Sequence, residues 1–341
     1  MKVFVGMSGG VDSSLTAALL VEQGHEVTGV YMKNWTQDLP GMKCPWADDL
    51  ADAKRVAVQL GIDFVVYDFE SEYRDKVVRY MIDEYQRGRT PNPDVMCNQE
   101  VKFKLFLETA LENGADKIAT GHYARTEGGK LLKAVDEKKD QTYFLYRVTQ
   151  AALEKTLFPL GGYTKPEVRA MAEARGLTTA HKKDSQGICF VGQIGIRDFL
   201  SQYVDVQPGD VIDKSSGEKL GRHEGAIFYT LGQRHGIHIG GGLPYYVSSK
   251  DMSKNEVYVT TKIHDDSLWL STIELINAHW INQAPKDGEI YHVRIRHGAT
   301  PIECVFENNS LKLREPQRAV TPGQSAVLYS GKHCLGGGIV S

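Results

Sequence analysis

Residues 6 to 14, Gly6-Met7-Ser8-Gly9-Gly10-Val11-Asp12-Ser13-Ser14, set two adjacent glycines and three serines between a short apolar strand and a helix. Glycine takes backbone angles closed to other residues and lets the main chain approach a ligand, while serine hydroxyls and the free N–H groups of a new helix donate hydrogen bonds. The segment reads as a cradle for phosphate or pyrophosphate. The plainer alternative is a strand-to-helix turn capped by Asp12 or Ser13. Two thiols stand out further along. Cys97 follows Thr90-Pro91-Asn92-Pro93-Asp94-Val95-Met96, in which prolines two apart predict an extended, rigid loop able to hold a thiol near the carboxylate of Asp94. Cys189 lies in His181-Lys182-Lys183-Asp184-Ser185-Gln186-Gly187-Ile188-Cys189-Phe190, where Lys182 and Lys183 can lower a thiol pKa and Gly187 allows close approach. Each has a bland alternative: Asp94 as a turn residue with Cys97 as a small buried hydrophobe, and Cys189 packed between Ile188 and Phe190 on a buried strand.

The other cysteines carry less. Cys304 shares a strand face with Ile302 and Phe306 and reads as core, Cys334 beside Ser330-Gly331-Lys332 reads the same way, and Cys44 is a loop thiol without an assigned role. No two of the five form a C-x-x-C pair, which argues against a zinc ribbon, and the odd, widely spaced set fits a reducing compartment. The glycine loop also lacks the Gly-Lys-Ser/Thr ending of a mononucleotide P-loop and the G-x-G-x-x-G of a dinucleotide site. With no lysine in the loop and Asp12 inside it, phosphate charge is expected to be balanced by Mg²⁺ on a carboxylate, Asp12 being the candidate, and not by a direct ammonium contact. In this the loop resembles the PP-loop of the ATP pyrophosphatase superfamily, whose members split ATP between its α- and β-phosphates and adenylate a substrate.

The elements that must position these residues alternate. Strands are expected at Val3 to Gly6, Val27 to Met32, Phe64 to Tyr67 and Lys117 to Thr120, with helices from Asp12, over Asp48 to Leu60 and over Ser71 to Gln86. This pattern predicts an α/β, doubly wound parallel sheet whose carboxyl rim gathers Ser8 to Ser13, Met32 and Gly121 around one nucleotide. After about Ser201 helices largely disappear, and short strands separated by turn residues predict a linking domain and then a small C-terminal β-barrel. The expected domains are 1–200, 201–265 and 266–341. Hydrophobic content of 41% and charged content of 24% are ordinary for a soluble globular protein, and no apolar run approaches the roughly 18 residues of a membrane span. A strand starting within two residues of the N-terminus leaves no room for a signal peptide, so a cytoplasmic location is expected. A net charge of −3 leaves any nucleic-acid binding to local basic patches such as Lys138-Lys139, Arg294, Arg296 and His297, which look exposed, although such charge runs also occur as plain solvated surface.

The loop, Met32-Lys33-Asn34-Trp35, Asn92-Pro93-Asp94 through Cys97-Asn98, Gly121-His122-Tyr123-Ala124, Lys139-Asp140-Gln141, Asp184 to Phe190 and Pro322-Gly323-Gln324 occur in the order in which the bacterial tRNA-specific 2-thiouridylases, tRNA-uridine 2-sulfurtransferases, carry them. The chain resembles that family over nearly its whole length. The resemblance implies ATP binding by Gly6, Met7, Ser8, Gly9, Gly10, Val11, Asp12, Ser13, Met32 and Gly121. It implies a persulfide on Cys189, attack by Cys97, a transient Cys97–Cys189 disulfide and an acid/base role for Asp94. It places Asn92, Pro93 and Asp94 on the target base, and Lys139, Asp140, Gln141, Arg294 and Ile295 on the tRNA; His122 and Gln324 match activity-linked positions. ATP with Mg²⁺, a tRNA and an upstream sulfur-relay or cysteine desulfurase protein are the implied partners, and a monomer is expected. Other readings stay open: a PP-loop ligase that uses the adenylate against nitrogen, an iron–sulfur tRNA thiolase, or a non-catalytic sulfur-carrier or RNA-binding adaptor. The first needs no cysteine pair and the second would want a C-x-x-C.

Overall fold

The computed structural model describes residues 1–38, 44–183, 195–237, 239–240 and 244–341. The first half of the chain supplies β1 (Lys2–Gly6), β2 (Glu26–Lys33), β3 (Asp63–Asp68), β4 (Lys117–Ala119), β5 (Ala124–Glu127), β6 (Lys130–Lys133) and β7 (Thr156–Leu157). Five of these form a parallel sheet in the order β3-β2-β1-β4-β7. Successive strand side chains point to opposite faces, and β1 shows it: Val3 and Val5 pack with Leu15, Val56 and Val168, whereas Phe4 packs with Val77, Met81 and Phe106. One face is thus covered by α1 (Val11–Glu22), α2 (Trp46–Leu60) and the helix Lys165–Ala174, the other by the helical runs 70–86 and 93–112. The sheet is doubly wound, as expected.

Four strands follow, β8 (Gly209–Asp213), β9 (Lys219–His223), β10 (Tyr246–Asp251) and β11 (Glu256–Thr260), in a sheet ordered β10-β11-β8-β9 with its own small core around Val211, Tyr229, Val247 and Val259. The last six, β12 (Trp269–Trp280), β13 (Ile290–Arg294), β14 (Ile302–Glu307), β15 (Ser310–Arg318), β16 (Ser325–Ser330) and β17 (His333–Val340), are antiparallel, and β12 pairs with both β15 and β17, closing a barrel.

Packing crosses the order of the chain. The hairpin β5–β6 leaves the α/β sheet and hydrogen-bonds to the start of β17, with Leu131 opposite Cys334 and Leu132 opposite His333. The core that holds Phe106, Tyr143 and Tyr146 also holds Val327, Tyr329 and Cys334 from the barrel and Ile227 from the middle segment. Among the described residues no helix is long and apolar enough to cross a membrane.

Candidate active site

The cradle begins where β1 runs into α1. The Met7 N–H donates to the Val30 carbonyl at 2.7 Å, extending the β1–β2 pairing by one residue. Of the adjacent glycines only Gly9 is left-handed, at φ +73°, and a Cβ there would lie 2.3 Å from the Asp49 carbonyl oxygen; Gly10 is extended. Gly10 is the N-cap of α1 and no side chain caps that end. The Ser13 and Ser14 hydroxyls instead donate to the Gly10 carbonyl at 3.2 and 2.8 Å, and Ser13 Oγ accepts the Ser8 N–H at 3.1 Å. The alternative of a turn capped by Asp12 or Ser13 therefore falls, and the first-turn amides keep their partial positive charge for an anion. Met32 packs over Gly6, its Cε 3.0 Å from where a Cβ would stand, and a Cβ on Gly121 would lie 2.8 Å from Ser13 N. Gly6 to Ser13, Met32 and Gly121 thus lie together at the carboxyl rim of the sheet.

An ammonium stands beside the loop. Lys165 is 7% exposed, and its Nζ lies 2.8 Å from both carboxylate oxygens of Asp12, while the Tyr123 hydroxyl donates to Oδ1 at 2.9 Å. The loop itself has no lysine, and this one comes from a helix 153 residues downstream.

The expected extended loop around Cys97 ends at Asn92. Proline's fixed φ suits the first turn of a helix as well as an extended chain, and here Pro93 opens a helix whose N-cap is Asn92, with Asn92 Oδ1 accepting the Val95 N–H at 3.4 Å. Pro93–Met96 is α-helical, Cys97–Leu105 is widened into π-helix and Phe106–Glu112 is α-helical again. Asp94 and Cys97 are therefore one turn apart on one face. Cys97 is 7% exposed, and burial pushes its thiol above the ordinary 9.0, opposed by the Lys102 cation and reinforced by the Asp94 carboxylate. Burial likewise raises the Asp94 carboxyl above the usual aspartate range, against Lys102 and His297. His122 follows Gly121 and packs against Phe103 of the thiol helix, ring centroids 5.5 Å apart, with its Nδ1 2.8 Å from Thr120 Oγ1; burial first, then Lys102, keeps the imidazole neutral. Through His122 and Gly121 the thiol helix and the cradle are joined.

The barrel grips the entry to this helix. Gln324 Nε2 donates to the Thr90 carbonyl at 2.8 Å, and the Thr90 N–H donates to the Pro322 carbonyl at 2.9 Å. Cys189 lies outside the described residues, as does its pairing with Cys97. Lys182, expected to act on that thiol, holds Asp49 at 2.7 Å and Asp52 at 2.6 Å. Cys304 and Cys334 are core residues, as expected, each pushed up to about 12 by burial, and Cys44 is buried with its Sγ 3.6 Å from the Trp35 carbonyl.

Over 350 aligned residues the chain is 47% identical to the tRNA-specific 2-thiouridylase MnmA of Bacillus cytotoxicus, spanning 99% of this chain and 94% of the relative. The corresponding protein of Enterococcus faecalis is 45% identical over 355 residues, spanning 99% and 95%. The chain belongs to the tRNA-specific 2-thiouridylase family. Three family models match this 2-thiouridylase homologue in order: a tRNA methyl transferase HUP domain at residues 1–193, a tRNA methyl transferase PRC-barrel domain at 197–261 and an aminomethyltransferase beta-barrel domain at 270–340.

In this member of the 2-thiouridylase family, the residues expected on tRNA divide. Arg294 was expected to be exposed but is buried: its Nη1 lies 2.8 Å from Asp140 Oδ2, its guanidinium sits over the Tyr329 ring at 5.3 Å, and Ile295 is buried beside it. Asp140 is buried too, accepting from Thr142 Oγ1 at 2.8 Å and the Ala134 N–H at 3.0 Å. Arg294 and Asp140 tie the barrel to the α/β unit, and Ile295 packs in the barrel's own core. Gln141 is half-buried, its Oε1 accepting the Tyr123 N–H at 2.9 Å. Lys139 is half-exposed, and Arg296 and His297 are exposed. Residue types did not single out Lys165, because its partner Asp12 is separated from it by most of the domain.

Proposed function

We propose that this chain is a sulfurtransferase that replaces the C2 oxygen of a tRNA uridine with sulfur, using ATP. The observation that carries the reading is an uncapped anion cradle joined, through Gly121 and His122, to a helical run that bears a buried thiol one turn from a carboxyl of raised pKa. The C2 oxygen cannot leave until it is esterified. Its attack on the α-phosphorus of ATP in the cradle breaks the α–β phosphoanhydride, releases pyrophosphate and leaves an adenylate; Mg²⁺ accompanies the nucleotide and offsets its charge. The terminal sulfur of a Cys189 persulfide then attacks C2 and expels AMP. The Cys97 thiolate attacks the inner sulfur, so that a Cys97–Cys189 disulfide forms and the terminal sulfur stays on the base; a reductant reopens the disulfide. Asp94 serves as acid and base, its raised pKa bringing it closer to the pH at which it must exchange protons.

The target base lies against Asn92, Pro93 and Asp94, and Lys139, Arg296 and His297 meet the RNA backbone, where exposed hydrogen-bond donors can reach phosphates. The wobble uridine of the lysine, glutamate and glutamine tRNAs is the target that the family resemblance suggests, splayed out of the anticodon loop. The sulfur comes from a relay or desulfurase protein, and the enzyme works as a cytoplasmic monomer.

The test is a digest of tRNA after incubation with the protein, ATP, Mg²⁺ and a persulfide donor, analysed by mass spectrometry, with AMP and pyrophosphate measured in parallel. Thiouridine formation with the wild type, none with Cys97→Ser or Cys189→Ser, and undiminished formation with Cys304→Ser is the expected pattern. Two of the matching family models are described as tRNA methyl transferase domains; a methyl group in place of sulfur would appear in the same digest and would sink the sulfur-transfer reading.

A further inference from the structure

A loop that binds a polyphosphate faces several negative charges, and this one carries a carboxylate of its own. Asp12 sits in the first turn of α1, where the helix end favours anions, so the carboxylate and a phosphate compete for the same positive potential. Lys165 answers that conflict, with its Nζ 2.8 Å from each Asp12 oxygen and its side chain 9% exposed. The lysine is firmly placed. It is the first residue of a helix whose N-cap Thr164 and Glu167 form a capping box, and its backbone N–H donates to Asp136 at 2.9 Å. Tyr123 donates to Asp12 Oδ1, one of the two oxygens that Lys165 holds, and is itself braced by Gln141, with which it exchanges N–H bonds at 2.9 Å in both directions.

We propose that Lys165 is the phosphate-binding cation of the cradle, with Asp12 and Tyr123 as its positioning residues. The helix Lys165–Ala174 thereby supplies the ammonium that the glycine loop lacks, and Asp12 orients a lysine where the sequence suggested a metal ligand. An ammonium is a compact point charge, and held against a carboxylate at the mouth of the loop it meets the phosphates without a search through rotamers. The proposal rests on the reading that the cradle binds ATP.

Calorimetric titration of ATP, inorganic pyrophosphate and adenosine, at fixed Mg²⁺, tests it on the wild type, Lys165→Met, Lys165→Arg and the double variant Asp12→Asn/Lys165→Met. The double variant leaves no unpaired charge and keeps the test open if Lys165→Met alone does not fold. Pyrophosphate and ATP affinity are expected to fall about tenfold to a hundredfold in Lys165→Met and in the double variant, the loss expected for a charge-assisted hydrogen bond, with adenosine affinity unchanged. Lys165→Arg is expected to bind pyrophosphate more tightly than Lys165→Met. If Lys165 merely neutralised Asp12, the double variant would bind pyrophosphate as well as the wild type or better, and that result overturns the proposal, as does an equal loss of adenosine binding. Failure of the wild type to bind ATP or pyrophosphate would instead overturn the functional reading on which it rests.

Discussion

A buried thiol beside a buried carboxyl is a poor nucleophile at rest, and Lys102 is what keeps it within reach of ionisation. Cys97 has a raised pKa, and in the proposed relay only its thiolate attacks, so below that pKa the thiolate fraction rises about tenfold per pH unit and sulfur transfer is expected to accelerate from neutrality toward and past pH 9. Because the Lys102 charge lowers that pKa, Lys102→Met is expected to move the single-turnover pH profile to the alkaline side and to slow the neutral-pH rate; an unmoved profile would remove Lys102 from the site. Asp94 makes the opposite trade. Its folded pKa lies above its unfolded one, so stability is lost as pH rises from the ordinary aspartate range, and the loss is complete once pH exceeds the folded pKa. Asp94→Asn is therefore expected to raise the melting temperature at neutral pH while abolishing thiolation. The stability difference should shrink as pH falls through the folded pKa toward the ordinary aspartate range, and scans at several pH values check this.

Elements set how far apart such residues stand. The alternation of β1 and the turn-separated strands of the barrel were legible in the sequence because period-two patterning survives without knowledge of partners. The helix that carries Cys97 was not legible, since a proline's fixed φ serves an extended loop and a first helical turn alike, and only Asn92 acting as N-cap decides between them. Lys165 and Arg294 escaped for a different reason: each is defined by a carboxylate more than 150 residues away, so exposure and charge could not be read locally. The turn at Pro322 to Gln324 has a role of the same long-range kind. Gly323 is left-handed at φ +91°, and a Cβ there would approach Arg89 Cβ and Thr90 N to 2.9 Å. Gly323→Ala is expected to push the turn off Thr90, costing about 1–3 kcal/mol locally and lowering the thiolation rate more than tRNA affinity, as rate and binding measurements would show. Gln324→Ala, which removes only the 2.8 Å bond to Thr90, should give a weaker version of the same defect.

At the scale of the molecule, the α/β unit and barrel are one packing problem. Asp140 is fully buried and Arg294 nearly so, hence Arg294→Met leaves an uncompensated charge and is expected to cost about 3–5 kcal/mol of stability, whereas changing both partners to apolar residues should cost far less. The shared core around Phe106, Tyr143 and Tyr329 predicts that calorimetry finds the α/β unit and the barrel melting together; a separate barrel transition would contradict it. The pairing of β6 with β17 also bears on how the chain comes into being. On the ribosome Leu131 and Leu132 emerge roughly 200 residues before Cys334 and His333, about ten to forty seconds of synthesis at typical rates. Throughout that interval the hairpin offers an open strand edge to anything nearby, a liability closed only when the final strand arrives. Translation speed and chaperone supply thus enter the yield of active enzyme through one two-residue ladder.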